Sequence, residues 1–301
     1  MIKFAFFGSS EFSIHVLEVL KTKEFLPSLI ITTPDKPKGR GLVLSSTPVK
    51  LWAEKNNIPV LDPAKLDDVF IKQYKGYPWI ELFIVASYGK IIPDQIINLP
   101  EHKTLNVHPS LLPNYRGASP IQSAITDDAK DTGVTIIRLD KEMDHGPIVT
   151  VENIHFDEWP TYEAVEEKLG SIGGNLLAKI LLDWIDGKIK EVNQDHSQAT
   201  FTKKIVKEDG LLDPADLKAD ASTGRAYLAF RKIQAYHSWP GAYFFVEKKN
   251  PLAPLEKKSA QSSNKIRVKI TSASWKNNKL IIEKVIPEGK KEMLYKDFLN
   301  R

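Results

Sequence analysis

The chain of 301 residues contains no cysteine. That excludes disulfides, thiolate nucleophiles and zinc sites built on sulfur, and it fits a reducing compartment. No apolar run approaches the roughly 20 residues needed to cross a bilayer. The opening stretch Met1–Phe7 is apolar around one lysine and passes at once into Gly8-Ser9-Ser10. A signal peptide would need a longer apolar core and a small-residue cleavage site, so this stretch reads as a first buried strand. The expected location is cytoplasmic, with no membrane partner. Several signatures are missing as well. A dinucleotide turn needs three glycines at set spacing, and Gly8-Ser9-Ser10-Glu11-Phe12 supplies only Gly8. There is no Gly-Lys-Ser/Thr phosphate loop, and no serine sits in a Gly-x-Ser-x-Gly elbow, so a covalent acyl-enzyme has no obvious carrier.

What is present is an ordinary globular composition, 42% hydrophobic and 27% charged, long enough for two domains. The net charge of +4 is unevenly placed. Residues 206–301 carry 19 Lys and Arg against 11 Asp and Glu, a net of +8, whereas residues 1–205 carry 23 against 27, a net of −4. A basic domain joined to a mildly acidic one suits a polyanionic partner, although surplus lysine for solubility would look the same.

Short apolar runs alternate with helical spacing through the first half: Ile2–Phe7, Leu29–Thr32, Ile58–Val60, Leu82–Ala86, Thr104–Val107, Gly133–Leu139 and Ile148–His155 read as strands. Between them Pro48–Asn56 and Ile121–Ala129 read as helices, and a long helix runs from Tyr162 to about Asp186 behind a Thr161 cap. The expected fold class is α/β, a Rossmann-like, mostly parallel sheet covered on both faces. After the polar run Lys190–Ala199 the pattern changes to one helix from Ala215 to about Ile233. Three strands follow, Gly241–Glu247, Lys265–Thr271 and Leu280–Val285, as in a small antiparallel sheet or barrel. The expected division is a catalytic domain at 1–189, a linker at 190–205 and a second domain at 206–301.

Asn106 and His108 stand two apart at the end of an apolar strand, so their side chains start on one face. Ligand sites of open α/β sheets gather beyond such strand ends. Asp144, in Met143-Asp144-His145-Gly146-Pro147, follows the strand ending near Leu139 and can enter the same crevice. The three are chemically complementary. An asparagine amide can donate to an oxygen that becomes negative, a histidine can move a proton near neutral pH, and a carboxylate can fix the imidazole. The residues alone leave a catalytic role and a loop-capping role both open. No cluster with ligand spacing surrounds His145, so no metal is expected.

Read with its neighbours, the trio resembles the methionyl-tRNA formyltransferase family, within the wider folate-dependent formyltransferases. The matching stretches are Ser87-Tyr88-Gly89-Lys90-Ile91-Ile92-Pro93, Leu105-Asn106-Val107-His108-Pro109-Ser110-Leu111-Leu112-Pro113, Tyr115-Arg116-Gly117-Ala118-Ser119-Pro120-Ile121-Gln122 and Asp131-Thr132-Gly133-Val134-Thr135-Ile136. Asp144, Gly146 and Ile148 complete a Met-Asp-x-Gly-x-Ile pattern. Pro109 stands where many relatives carry alanine. The resemblance implies formyl transfer in translation initiation, a step of protein biosynthesis, from 10-formyltetrahydrofolate as co-substrate to the amino group of methionyl-initiator-tRNA. It implies catalytic roles for Asn106, His108 and Asp144. It places the folate near Ala86, Tyr88, Gly89, Ile91, Ile92, Ser110, Leu111, Leu112, Pro113 and Asp140, largely through the backbone of Ala86–Ile92 and the Asp140–Asp144 loop.

The basic segment Asp35-Lys36-Pro37-Lys38-Gly39-Arg40-Gly41 resembles the family's tRNA-contacting loop, and residues after Ala199 resemble its second domain, an OB-like barrel. Lys36, Lys38, Arg40, Lys203 and Lys204 are the implied tRNA contacts; cations on a Gly/Pro scaffold suit phosphate, as they would also suit a solvated surface. A monomer is expected. Three other functions fit parts of the pattern. An amino-sugar nucleotide formyltransferase would share the folate and the trio, and a formyl-tetrahydrofolate hydrolase would replace the amine by water. A non-catalytic RNA-binding module would leave the trio without a purpose.

Overall fold

A computed structural model describes residues 2–38, 43–247 and 265–300. Arg40, an expected tRNA contact, lies outside the described residues. Two compact units are present. The first comprises Met1–Ala124, Lys130–Asp157 and Ala164–Lys204; the second comprises Ile125–Ala129, Glu158–Glu163 and Ile205–Arg301.

In the first unit the strands are β1 (Phe4–Gly8), β2 (Leu29–Ile31), β3 (Lys36–Lys38), β4 (Val43–Ser45), β5 (Val60–Leu61), β6 (Leu82–Ala86), β7 (Thr104–His108), β8 (Arg116–Gly117), β9 (Asp131–Arg138), β10 (Ile148–His155) and β11 (Phe201–Thr202). Seven form one sheet in the order β10-β9-β7-β6-β1-β2-β5. Pairings from β5 across to β7 are parallel, while β9 runs antiparallel to β7 and β10 to β9. Strands β1, β6 and β7 are buried along their whole length, as continuous apolar runs covered on both faces should be. One side of the core gathers Phe7, Phe70, Phe83 and Tyr88 with Leu29, Ile31 and Ile96.

Helices α1 (Glu11–Thr22), α2 (Pro48–Lys55), α3 (Asp68–Tyr74), α4 (Asp94–Ile97), α5 (Pro120–Asp127) and α6 (Tyr162–Ile185) connect the strands. Helix α2 starts as its sequence dictates, with Thr47 Oγ1 accepting from Lys50 N at 3.1 Å and Pro48 opening the first turn. Ahead of it the basic segment forms a hairpin, Lys36 opposite Ser45 and Lys38 opposite Val43. Residues 190–205, expected as a linker, are tied to the first unit as far as Lys204. Val192 exchanges backbone hydrogen bonds with Ile148 at 2.8 and 2.9 Å, and β11 pairs with β8. Backbone pairing of this kind leaves no mark in a polar composition.

The second unit holds α7 (Arg225–Ala235), strands β12 (Tyr243–Glu247), β13 (Lys265–Lys276), β14 (Lys279–Pro287) and β15 (Met293–Leu294), and α8 (Tyr295–Leu299). Its strands form an antiparallel sheet in sequence order. Ala229, Ile233, Phe244, Val268, Ile270 and Val285 make its core. The single helix expected from Ala215 is broken. Two short 3₁₀ turns, Asp216–Lys218 and Ala221–Thr223, precede Gly224 at φ 68°, and the α-helix begins only at Arg225. Asp220 accounts for part of the break, its carboxylate accepting from Ser222 N at 2.8 Å, a local turn that competes with helix.

Candidate active site

Strand β7 ends on His108, and alternation along the strand puts Asn106 on the same face. Both are buried, Asn106 at 8% and His108 at 4% exposure. Asn106 lies opposite Val85 on β6 and Ile137 on β9, so apolar strands flank it on both sides. Its side-chain amide makes no hydrogen bond among the described residues, and its atoms are not among the fully buried unpartnered ones, so its two N–H donors are open to a ligand.

The His108 ring is held from one side. Nε2 lies 3.0 Å from the carbonyl oxygen of Tyr115, and a carbonyl can only accept, so Nε2 carries the hydrogen. Nδ1 then faces Asp144 Oδ1 at 3.6 Å, too long for a hydrogen bond in this state. The other carboxylate oxygen, Oδ2, accepts from Gly117 N at 2.7 Å.

Asp144 reaches this place by a detour. Because β9 is antiparallel to β7, its end lies at the start of β7, where Leu139 N donates to Thr104 O at 2.8 Å. Residues 139–147 must double back for Asp144 to meet His108. Close packing at Gly146 makes the reversal possible: a Cβ there would run into the Arg138 carbonyl oxygen, so only glycine fits. Asp144 itself sits at φ 50°, in the left-handed region. Within the loop Asp140 accepts from Glu142 N at 2.9 Å and pairs with His145 Nδ1 at 2.7 Å.

The residues expected at the folate divide into two groups. Tyr88 is a core side chain, 5.4 Å from Phe7 in an edge-on contact, and burial pushes its hydroxyl up to about 12. Ser110 is fully buried, its hydroxyl donating to Asn114 O at 2.7 Å while its carbonyl accepts from Thr135 at 2.7 Å. Ala86, Ile92 and Leu112 are likewise buried. For these the side chains are committed to the fold, and contact with a ligand is left to the backbone. Ser87 and Gly89 turn that backbone through φ 50° and 79°. Ile91, 82% exposed, is the apolar side chain this segment presents. Leu111 and Asp140 are half-buried, and Leu112–Pro113 is a cis peptide.

Among the expected tRNA contacts, Lys36 and Lys38 bound β3, and Lys203 and Lys204 follow β11 on the surface. Lys90 was not singled out by the sequence. Its ammonium donates to the carbonyls of Pro63 and Ala64 at 2.9 and 2.8 Å, and burial, then the charge of Lys36, hold it below the usual lysine range. Also unforeseen were Gly117, whose backbone N–H grips Asp144, and Gln194, whose amide reaches the same loop from 50 residues away. A backbone donor has no sequence signature. A polar residue in a polar run has none either. No group of three or more His, Asp or Glu residues could hold a metal among the described residues, and no described helix is long and apolar enough to cross a membrane.

Comparison with known proteins gives a consistent result. Residues 2–181 match the family model described as formyl transferase. A methionyl-tRNA formyltransferase of Thermotoga neapolitana is 38% identical over 248 residues, 82% of this chain and 77% of that protein. Another, from Halalkalibacterium halodurans, is 32% identical over 308 residues, 99% of this chain and 94% of that protein. Among solved structures, an N-formyltransferase from Helicobacter canadensis in complex with folinic acid and dTDP-3-aminofucose aligns with a TM-score of 0.60. It covers 92% of this chain and 89% of its own at 17% identity, a likeness of fold.

Proposed function

The chain belongs to the formyl transferase family, among the methionyl-tRNA formyltransferases, and from that premise we propose how its residues divide the work. The enzyme moves a formyl group from 10-formyltetrahydrofolate to the amino group of methionyl-initiator-tRNA by direct attack of the amine, without a covalent enzyme intermediate. As the amine adds to the formyl carbon, the carbonyl oxygen gains negative charge, and the unspent Asn106 amide donates to it. His108 takes the amine proton at Nδ1, the nitrogen left open while Nε2 is bound to Tyr115 O. Protonation makes the ring a cation beside the Asp144 carboxylate, 3.6 Å from Nδ1, so the pair gains attraction when charge appears. The proton is then available for the departing folate nitrogen.

The observation that carries this reading is the convergence of three residues from two segments. Asn106 and His108 leave one strand together, and a loop of opposite direction doubles back to bring Asp144 to them. The folate fits the backbone of Ala86–Ile92 and of Ser110–Pro113 together with the Asp140–Asp144 loop, where polar main-chain atoms and the exposed Ile91 are presented. Lys36, Lys38, Arg40, Lys203 and Lys204 take tRNA phosphates, helped by the +8 charge of residues 206–301, which we assign to an OB-like barrel. On this reading residues 1–189 carry the chemistry and the working form is a cytoplasmic monomer without metal.

One assay tests the reading. Purified protein is given formyl-tetrahydrofolate with either methionyl-initiator-tRNA or an amino-sugar nucleotide, and the formylated product is identified. Transfer to the tRNA alone is expected. Transfer to the sugar alone overturns the assignment.

A further inference from the structure

Two buried polar side chains take no part in the chemistry just described: Arg116, 3% exposed, and Gln194, 5% exposed. A guanidinium stays charged in any folded protein, and burying one demands partners. Among the described residues none of the hydrogen-bond partners of Arg116 is a carboxylate. Nε and Nη2 donate to Gln194 Oε1 at 3.2 and 2.7 Å, Nη2 also meets His196 Nδ1 at 2.9 Å, and the Phe201 ring lies 5.9 Å away.

The Gln194 amide has only one sensible orientation. Its oxygen must face the guanidinium, which only donates, and its nitrogen then faces two carbonyl oxygens, Asp144 O at 2.9 Å and Gly146 O at 2.7 Å. A flipped amide would set like groups together at every contact. Arg116 reaches Asp144 by a second route, because the next residue, Gly117, donates its N–H to Asp144 Oδ2 at 2.7 Å. One two-residue strand therefore grips Asp144 at the carboxylate directly and at the carbonyl through Gln194. A non-glycine residue at φ 50° is strained and persists where its surroundings over-determine it. The grip also extends to the start of the loop. The His196 ring stacks on His145 at 3.9 Å and 4°, and His145 pairs with Asp140 at 2.7 Å.

We propose that Gln194 and Arg116 are positioning residues that lock the backbone of Asp144 so that its carboxylate stays aimed at His108. The proposal rests on the reading of Asp144 as the support of His108. Gln194→Glu keeps the side-chain length and the attraction to Arg116 but removes both donors, and Gln194→Met removes every polar contact. Both should lower kcat by about 10- to 100-fold, the scale of a small misplacement of a catalytic group, with KM for formyl-tetrahydrofolate and for methionyl-tRNA nearly unchanged. His196 is exposed, so His196→Ala leaves the core intact and should lower kcat several-fold in the same direction. If the residues act through Asp144, the Gln194→Glu penalty largely disappears in an Asp144→Asn background.

Hydrogen exchange at the Gly117 amide supplies a readout that needs no turnover: Gln194→Glu and His196→Ala should both speed it. Normal turnover per folded molecule in the Gln194 variants that fold and in His196→Ala overturns the proposal. So does a penalty undiminished by Asp144→Asn, or unchanged Gly117 exchange. A wild-type protein that formylates nothing would instead overturn the functional reading, while the exchange measurement still judges the clamp.

Discussion

Each unit contains a histidine set between a carboxylate and a backbone carbonyl, and the two arrangements differ in one respect. In the first unit His108 Nδ1 stands 3.6 Å from Asp144, with side chains 5% and 14% exposed, and Nε2 is bound to Tyr115 O. In the second unit His237 Nδ1 lies 3.0 Å from both oxygens of Glu163, with side chains 35% and 44% exposed, and Nε2 lies 3.2 Å from Thr271 O. Both partners of His237 can only accept, so each of its two nitrogens faces an acceptor. His108, by contrast, has one nitrogen fixed and one open, beside a carboxylate that gains a bond only when the open nitrogen is protonated. On the proposed mechanism the same three groups make a strut in one unit and a proton carrier in the other, and the longer His108–Asp144 separation is the difference between them.

The largest effect expected from this contrast comes from removing each ring. His108→Ala should lower kcat by about 100-fold or more, the scale of general acid–base catalysis, with the melting temperature little changed. His237→Ala should do the reverse, lowering the melting temperature while turnover per folded molecule stays normal. Steady-state kinetics beside thermal melts check both. Near-normal turnover of His108→Ala, or a collapse of turnover in His237→Ala, would break the contrast.

Asn106 sharpens it next. Asn106→Ala should cost roughly 3 kcal/mol of transition-state stabilisation if its amide faces the developing oxyanion. An asparagine that only supports the fold would show instead as a lower melting temperature at constant turnover.

A smaller change is expected from the basic segment Lys36–Arg40. Arg40→Ala and a Lys36/Lys38 double alanine variant should raise KM for methionyl-tRNA without altering folate affinity. Each lost phosphate contact should also flatten the dependence of binding on salt by about one unit of slope. Kinetics at two salt concentrations are sufficient. Unchanged constants and slope would leave the hairpin a solvated surface and the trio untouched.

How much of this was legible beforehand follows from where each contact lives. The pair Asn106 and His108 could be read because strand alternation is local and a run of buried residues marks the strand. The approach of Asp144 could be suspected but not explained, since it depends on β9 running against β7, a matter of topology rather than pattern. Gly117 and Gln194 were hidden because they act on Asp144 across 27 and 50 residues through a backbone N–H and an amide. The helix break at Gly224 has a cause in the glycine itself, masked in the sequence because the flanking alanines and leucines keep helical spacing. In the second unit three of the four strands lie where the spacing predicts them, whereas β15 and the inclusion of Ile125–Ala129 and Glu158–Glu163 come only from the fold.

The smallest expected effect belongs to the second unit and to acid. Burial pushes the Glu163 carboxyl up, but the hydrogen bond from His237, its own backbone, the nearby histidine charge and Thr161 together leave it below its usual value. A carboxylate whose folded pKa is depressed contributes stability that is present above its unfolded value, about 4.3 for glutamate, and is lost as pH falls through the lower folded value. Glu163→Gln should therefore melt at a lower temperature than the wild type near neutral pH, and the two curves should converge as pH drops below the carboxylate range. The shift should be modest, because both partners are more than a third exposed and solvent screens them. Turnover per folded molecule should stay unchanged throughout. Melting curves of the two proteins at neutral and acid pH decide the matter. A difference that persists undiminished in acid would mean that the His237–Glu163 pair is held by packing rather than by charge, and the contrast between strut and proton carrier would lose its electrostatic side.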